Sequence, residues 1–265
     1  GRRVTTAARK SLVRLRLEGP DDADAWSLGS QQGVAPVPTT IEAGYAWFGL
    51  AKRGQGRLDR NAIRADGREA VRTLALAVPD EHAEHLATVM RLVSQFGQLG
   101  SRSRGGWGSF QLSNTQPLST SDLQRYAQPL EACLGRDWPM SFCSDANGLC
   151  HWESRTPFKT WDQAMLQGAL ERRRVRSALK AVEGKDLRPA LGFALAVGRM
   201  PSPLRWRVVQ LPDKQLAMRV FAMPTLIPED AKKSIAPADL KKAWRIVFDA
   251  LDRSEFLKPR AATGR

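Results

Sequence analysis

Gln98-Leu-Gly-Ser-Arg-Ser-Arg-Gly-Gly-Trp-Gly-Ser-Phe110 sets four glycines and two arginines among serines within one short stretch, with Trp107 before the last glycine and Phe110 closing the run. Glycine admits positive φ and lets the backbone come close to a ligand. Consecutive N–H groups can then converge on an oxyanion while Arg102 and Arg104 add charge-assisted bonds. The stretch follows a helical pattern and precedes a strand-like one, which is the setting of a phosphate-handling loop. It matches neither the Walker A loop nor the dinucleotide fingerprint, because no Gly-Lys-Ser/Thr follows and its glycines do not open a helix. The plainer reading is a Gly-rich hairpin with solvated arginines.

Working outward, the residues before the stretch read as strand then helix. Arg72–Val78 alternates Leu74, Leu76 and Val78 with smaller residues, as a strand does. Pro79-Asp80-Glu81 starts a helix with acids at its positive end, and Leu86, Met90, Val93 and Phe96 form the apolar stripe of Asp80–Gly97. Further upstream, Val13, Leu15 and Leu17 alternate with Arg14 and Arg16, predicting a half-buried strand with one cationic face. Residues 19–40 read as a long loop. Its Asp21, Asp22 and Asp24 are solvated acids on the plain reading and divalent-ion ligands on the sharper one. Tyr45–Leu50 is an aromatic patch better suited to core than to base stacking, and Ala51–Arg68, with Arg53 among its six cations, reads as an exposed basic loop.

Downstream, Leu123, Tyr126, Ala127, Leu130 and Leu134 predict a helix interrupted at Pro129, followed by a strand at Met140–Cys143. Asn147-Gly148 suggests a hairpin turn. Thr160-Trp-Asp-Gln163 is a capping pattern opening a helix to about Lys180, whose end carries Arg172, Arg173, Arg174 and Arg176. Arg205–Leu211 and Leu216–Phe221 read as a hairpin. Pro237 with Leu240, Trp244, Val247 and Leu251 gives a C-terminal amphipathic helix, and the tail after Lys258 is basic. The expected class is α+β.

The 265 residues, 42% hydrophobic, can bury a sizeable core, and 41 Lys plus Arg against 27 Asp plus Glu give a net charge of +14. That excess favours a polyanionic partner. No apolar run approaches the roughly twenty residues that span a bilayer. The odd count of three cysteines argues against a disulfide framework and for a reducing compartment. Cys143, Cys150 and His151 do not match a closed zinc spacing, so neither metal nor cofactor is expected. His82 and His85, three apart on a helix start, lack the acid–base company that hydrolase chemistry needs.

Leu99-Gly-Ser-Arg-Ser-Arg-Gly-Gly-Trp-Gly-Ser-Phe110 resembles the "lGarsRrGfGs" signature of RAMP proteins, the RNA-binding subunits of CRISPR effector complexes. Tyr45-Ala-Trp-Phe-Gly-Leu50 resembles the family's "Y-x-x-x-G-L" element, Leu191-Gly192 its "LG" element, and Arg199-Met-Pro-Ser-Pro-Leu204 its "R-x-x-SPL" element. The chain is most similar to the large two-domain RAMP subunit of the type III-B (Cmr) complex. The family's opening "TPL…GG" turn and arginine helix are not found after Gly1, so a missing N-terminal segment is expected to complete the first module.

The resemblance implies ferredoxin-like (RRM-like) modules at 1–118 and 119–265, with additional C-terminal helices. It also implies a non-catalytic subunit in the prokaryotic cytoplasm that holds guide or target RNA beside other RAMP subunits. The expected RNA contacts are Ser101, Arg102, Ser103, Arg104, Gly105, Gly106 and Gly108, with Arg14, Arg16 and Arg53. Two alternatives stay open: a RAMP endoribonuclease that processes guide precursors, with His82 as its best imidazole, and a basic structural subunit that touches only protein neighbours.

Overall fold

The computed structural model describes residues 11–18, 45–46, 72–100, 102–193, 200–227, 235–258 and 260. In chain order the elements are β1 (Arg14–Glu18), β2 (Thr73–Ala77), α1 (Ala83–Phe96, entered through a 3-10 turn at Asp80–His82), β3 (Gly105–Gly106), α2 (Thr120–Gln124), β4 (Ala127–Pro129), α3 (Leu130–Leu134), β5 (Phe142–Asp145), β6 (Gly148–Leu149), β7 (His151–Glu153), α4 (Trp161–Ser177), β8 (Leu204–Gln210), β9 (Leu216–Ala222) and α5 (Pro237–Asp252). The class is α+β, as the patterns predict.

A four-stranded sheet in the order β3-β8-β9-β7 carries the site. Its short edge strand β3 runs parallel to β8, and the other pairs are antiparallel. Alternation along the strands sorts side chains to two faces. Leu204, Trp206 and Val208 of β8, Met218, Val220 and Ala222 of β9, and Trp152 of β7 enter the main core with Met165, Ala169 and Val175 of α4 and Trp244, Val247 and Leu251 of α5. Arg205, Arg207, Arg219, Phe221, His151 and Glu153 fall on the other face by the same alternation. There Phe96 of α1 packs against Phe142, Phe221 and His151, with ring centroids 4.6, 5.0 and 5.8 Å away.

The helices form where capping and spacing predict. Thr160 Oγ1 accepts from the Gln163 N–H at 3.3 Å, and Pro237 stands in the first turn of α5, whose buried residues recur at helical spacing. Each fully buried Trp or Leu of this stripe contributes roughly 2–3 kcal/mol relative to exposure.

The connection β7–α4–β8–β9–α5 is closed by residues 256–258, which lie antiparallel beside β7. The Lys258 N–H donates to Glu153 O at 2.8 Å, and the Arg155 N–H donates to Phe256 O at 2.9 Å. Arg260 then locks this segment, reaching both carboxylate oxygens of Asp145 (2.7 and 3.0 Å) and both of Asp252 (2.9 and 2.6 Å). Its guanidinium also lies 5.1 Å from the centre of the Trp152 ring.

Four expectations change. The strand β1 forms and pairs with β2, but its apolar face is not half-buried: Leu15 and Leu17 are 70% and 54% exposed. Pro129 does more than interrupt a helix. It sits in β4, parallel to β5, and the predicted helix becomes the short α2 and α3 on either side, because proline can end a strand but cannot donate within a helix. The hairpin turn falls on Ala146-Asn147, with Gly148 (φ 99°) pairing to Asp145. Finally, the strand expected after the glycine-rich stretch lies inside it, as β3.

Candidate nucleic-acid interface

The glycine-rich stretch is a tight excursion from the end of α1. Gln98 and Ser109 face each other across its neck, and the Leu99 N–H donates to Gly108 O at 3.0 Å. Three further bonds fasten it to β8: Trp206 N–H to Arg104 O (3.1 Å), Gln98 Nε2 to Trp206 O (2.6 Å) and Val208 N–H to Ser109 Oγ (3.1 Å).

The glycines serve the packing of the chain on itself. Gly106 has φ +104°, and a Cβ there would stand 2.8 Å from Met165 Sδ. A Cβ at Gly108 (φ +65°) would run into the Leu99 carbonyl, and one at Gly105 into the Arg172 guanidinium. Trp107 is half-buried against the main core, its ring centre 4.6 Å from that of Trp161, and its Nε1 donates to Ala46 O at 3.0 Å. That bond ties the Tyr45 element to the loop.

The charge of the site lies in arginine side chains. Arg102, itself at φ +62°, adds its positive charge to the causes that lower the pKa of Arg172 on α4, and Arg104 does the same to Arg205 of β8. Burial is the main cause of lowered pKa values at Arg102, Arg104, Arg172 and Arg205, the last pulled down to about 10. Among the described residues no carboxylate pairs with Arg104, Arg172 or Arg205. The Nε atoms of Arg172 and Arg205 are buried and make no hydrogen bond. The Arg172 guanidinium lies 4.9 Å from the centre of the Tyr45 ring, and Arg176, one turn on, donates to Gly192 O at 3.2 Å. Partly desolvated cations crowded in this way form a site that favours an anion.

Arg207, fully buried, holds the frame. Its guanidinium donates to the carbonyls of Gly97, Phe110 and Ser94, the last at 2.5 Å, and so fastens both ends of the loop and the C-terminus of α1 to β8. Burial pulls its pKa down to about 10, helped by nearby Arg219.

Of the residues expected to contact RNA, Arg102, Ser103, Arg104, Gly105, Gly106 and Gly108 converge here. Arg14 and Arg16 lie exposed on β1, which pairs with β2 and not with the sheet carrying the loop, and Arg16 contacts Glu18 at 3.3 Å. Ser101 and Arg53 lie outside the described residues, as do Asp21, Asp22, Asp24 and the basic stretch 51–68. Parts of the weaker motif elements lie within the described residues. Gly192 (φ +83°) packs so closely on Met200 O and Ser202 N that no side chain fits, and Leu204 begins β8. Sequence reasoning leaves Arg172 with the solvated helix end and does not single out Arg205 or Arg207. Their one signal in the sequence is an arginine alternating with core residues in a predicted strand.

The histidines lie apart. His82 and His85 are exposed at the start of α1, about 20 Å from its loop end by helical rise. His151 is held down to about pKa 4, chiefly by burial and then by Arg219, and its Nε2 has no partner. The three cysteines are buried and reduced, and the Cys143 thiol is pushed up by its contacts with Cys133 and Cys150 and by burial. Among the described residues no group of three or more His, Cys, Asp or Glu is placed to hold a metal, and no helix is long and apolar enough to cross a membrane.

No protein-family model and no curated protein matches the chain. Among solved structures, Cmr1 from Pyrococcus furiosus in its apo form is similar at a TM-score of 0.44 and 19% sequence identity, over 91% of this chain and 76% of that one.

Proposed function

We propose that this chain is a non-catalytic RNA-binding subunit of a type III CRISPR ribonucleoprotein, holding guide or target RNA in the prokaryotic cytoplasm beside other RAMP subunits. The observation that carries this reading is the set of Arg102, Arg104, Arg172 and Arg205 around the glycine-rich stretch, crowded and partly desolvated. The cost of keeping such cations together is offset when a phosphate backbone lies among them. The glycine-rich stretch pairs through β3 with β8, the strand that Leu204 opens, and Trp107 is hydrogen-bonded to Ala46, an arrangement in keeping with the family resemblance that the sequence carries.

The topology supports it too. The order β7–α4–β8–β9–α5 with residues 256–258 beside β7, in the spatial order second-third-first-fourth, is in keeping with the βαββαβ connection expected of a ferredoxin-like unit. In this reading module 119–265 is that unit. Module 1–118 docks on it through β3, which is hydrogen-bonded to β8.

The purified chain should bind labelled precursor RNA in EDTA without cleaving it. Changing Arg102 and Arg104 together to Ala should weaken binding across sequences and reduce the salt slope by about 0.7 for each single-strand phosphate no longer neutralised. An unchanged slope would sink the RNA reading, and cleavage would turn it toward an endoribonuclease.

A further inference from the structure

Cys143 and Cys150 stand directly opposite each other at the point where the chain leaves one sheet for the next. The β5–β6 ladder pairs Asp145 with Gly148 and Ser144 with Leu149, and the Cys150 N–H donates to Cys143 O at 2.8 Å, which carries the same register one step further. Residues facing each other in a hydrogen-bonded antiparallel pair project to the same side with Cα atoms about 5.5 Å apart, inside the range of about 4.4–6.8 Å that a disulfide spans. The two thiols are in hydrogen-bond contact, and both residues are buried, at 0% and 1% exposure. Cys150 then passes the chain to β7, and its O accepts from the Ala222 N–H of β9 at 3.0 Å.

A cysteine enclosed by apolar side chains alone is inert, and a cation beside the sulfur is what makes one the attacking group. Arg260 Nη1 donates to Cys150 Sγ at 3.4 Å. A groove of about 480 Å³, lined by Leu130, Ser144, Asp145 and Phe248 among others, opens beside the same ladder and is wide enough for a molecule the size of a peroxide. Cys133, the third thiol of the cluster, belongs to α3, and its Sγ lies against the Gln128 and Phe142 carbonyls at 3.6 and 3.8 Å.

We propose that Cys143 and Cys150 form an oxidation site, at which hydrogen peroxide converts the facing thiols into a cross-strand disulfide that ties β5 to the junction between the two sheets. The attacking sulfur is that of Cys150. It bonds to one peroxide oxygen as the O–O bond breaks, its proton leaves with the other oxygen as water, and Cys150 becomes a sulfenic acid. The Cys143 sulfur then bonds to the Cys150 sulfur, the S–O bond breaks, and the departing hydroxide takes the Cys143 proton as a second water. Two thiols and one peroxide give one disulfide and two waters, the sulfurs being oxidised and the peroxide oxygens reduced. Because the ladder holds the resolving thiol in place, the sulfenic acid is captured before it can be oxidised further.

The test treats the full, folded chain with dilute hydrogen peroxide and a chelator, blocks the remaining thiols in denaturant, and counts and maps them. Free thiols should fall from three to one, with Cys143 joined to Cys150 and Cys133 still reduced, and dithiothreitol should restore all three. Cys133→Ala should form the same linkage at the wild-type rate, and Cys143→Ala should stop at a sulfenic acid on Cys150 that dimedone traps. Thermal unfolding of each variant is read alongside, and the map of the wild-type chain needs no variant to fold. A linkage through Cys133 would overturn the facing pair. Loss of all three thiols at one rate would show that peroxide meets only the unfolded chain, and a count that stays at three would show that the pair is sealed; either result would overturn the site.

Discussion

Gly106 shows how one residue can be legible in type and misread in purpose. The sequence marks it as a position where a side chain is unwelcome, and the structure agrees, but the intruding neighbour is Met165 Sδ of its own core. Gly106→Ala should therefore lower stability by roughly 1 kcal/mol or more, measured by denaturant unfolding, through both the strained φ and the close approach. Gly100→Ala is the control, since Gly100 also has positive φ (+81°) but open space around it, and should cost less. Equal losses would mean that φ alone decides. His151 makes a second prediction at this scale. Its folded pKa of about 4 lies below the ordinary 6.5. Between those values the unfolded chain binds a proton that the folded chain refuses, so the stability this residue protects is complete above about pH 6.5 and is lost as pH falls toward 4. His151→Phe should flatten the stability–pH curve across that window in thermal unfolding, and an unchanged slope would show that the imidazole is not the acid-sensitive group.

Among elements, those with a period were readable. The stripe of α5, the capping residue of α4 and the β8–β9 hairpin were each expected within a residue or two of where they lie. β3 was not, because two glycines carry no alternation, and a strand that short exists only through the partner it finds in β8. Arg207 is hard to foresee for a related reason. A charged residue in a strand pattern is read as facing water, whereas here the carbonyls at the end of α1 take the place of water. Arg207→Met should leave three carbonyls without their donor and destabilise the protein by roughly 3 kcal/mol or more. Hydrogen exchange should localise the change to the last turn of α1 and the loop. Uniform loss of protection across β9 and α5 would show that Arg207 supports the whole core instead.

For the molecule as a whole, composition pointed to a polyanion, and the pattern of strands and helices to an α+β class. The gathering of Arg102, Arg104, Arg172 and Arg205 was beyond reach, because it joins residues from 102 to 205 that only the sheet order brings together. The clamp at Arg260 is of the same long-range kind. Replacing Arg260 with Ala would leave Asp145 and Asp252 facing each other without their shared cation. The cost should be roughly 3–5 kcal/mol by equilibrium unfolding, and a loss below 1 kcal/mol would show that the two carboxylates relax apart. In handling the protein, the clamp sets a limit on trimming. An affinity tag or a protease site belongs after Arg260, and a carboxypeptidase digest should show a sharp drop in thermal stability when that one residue is removed.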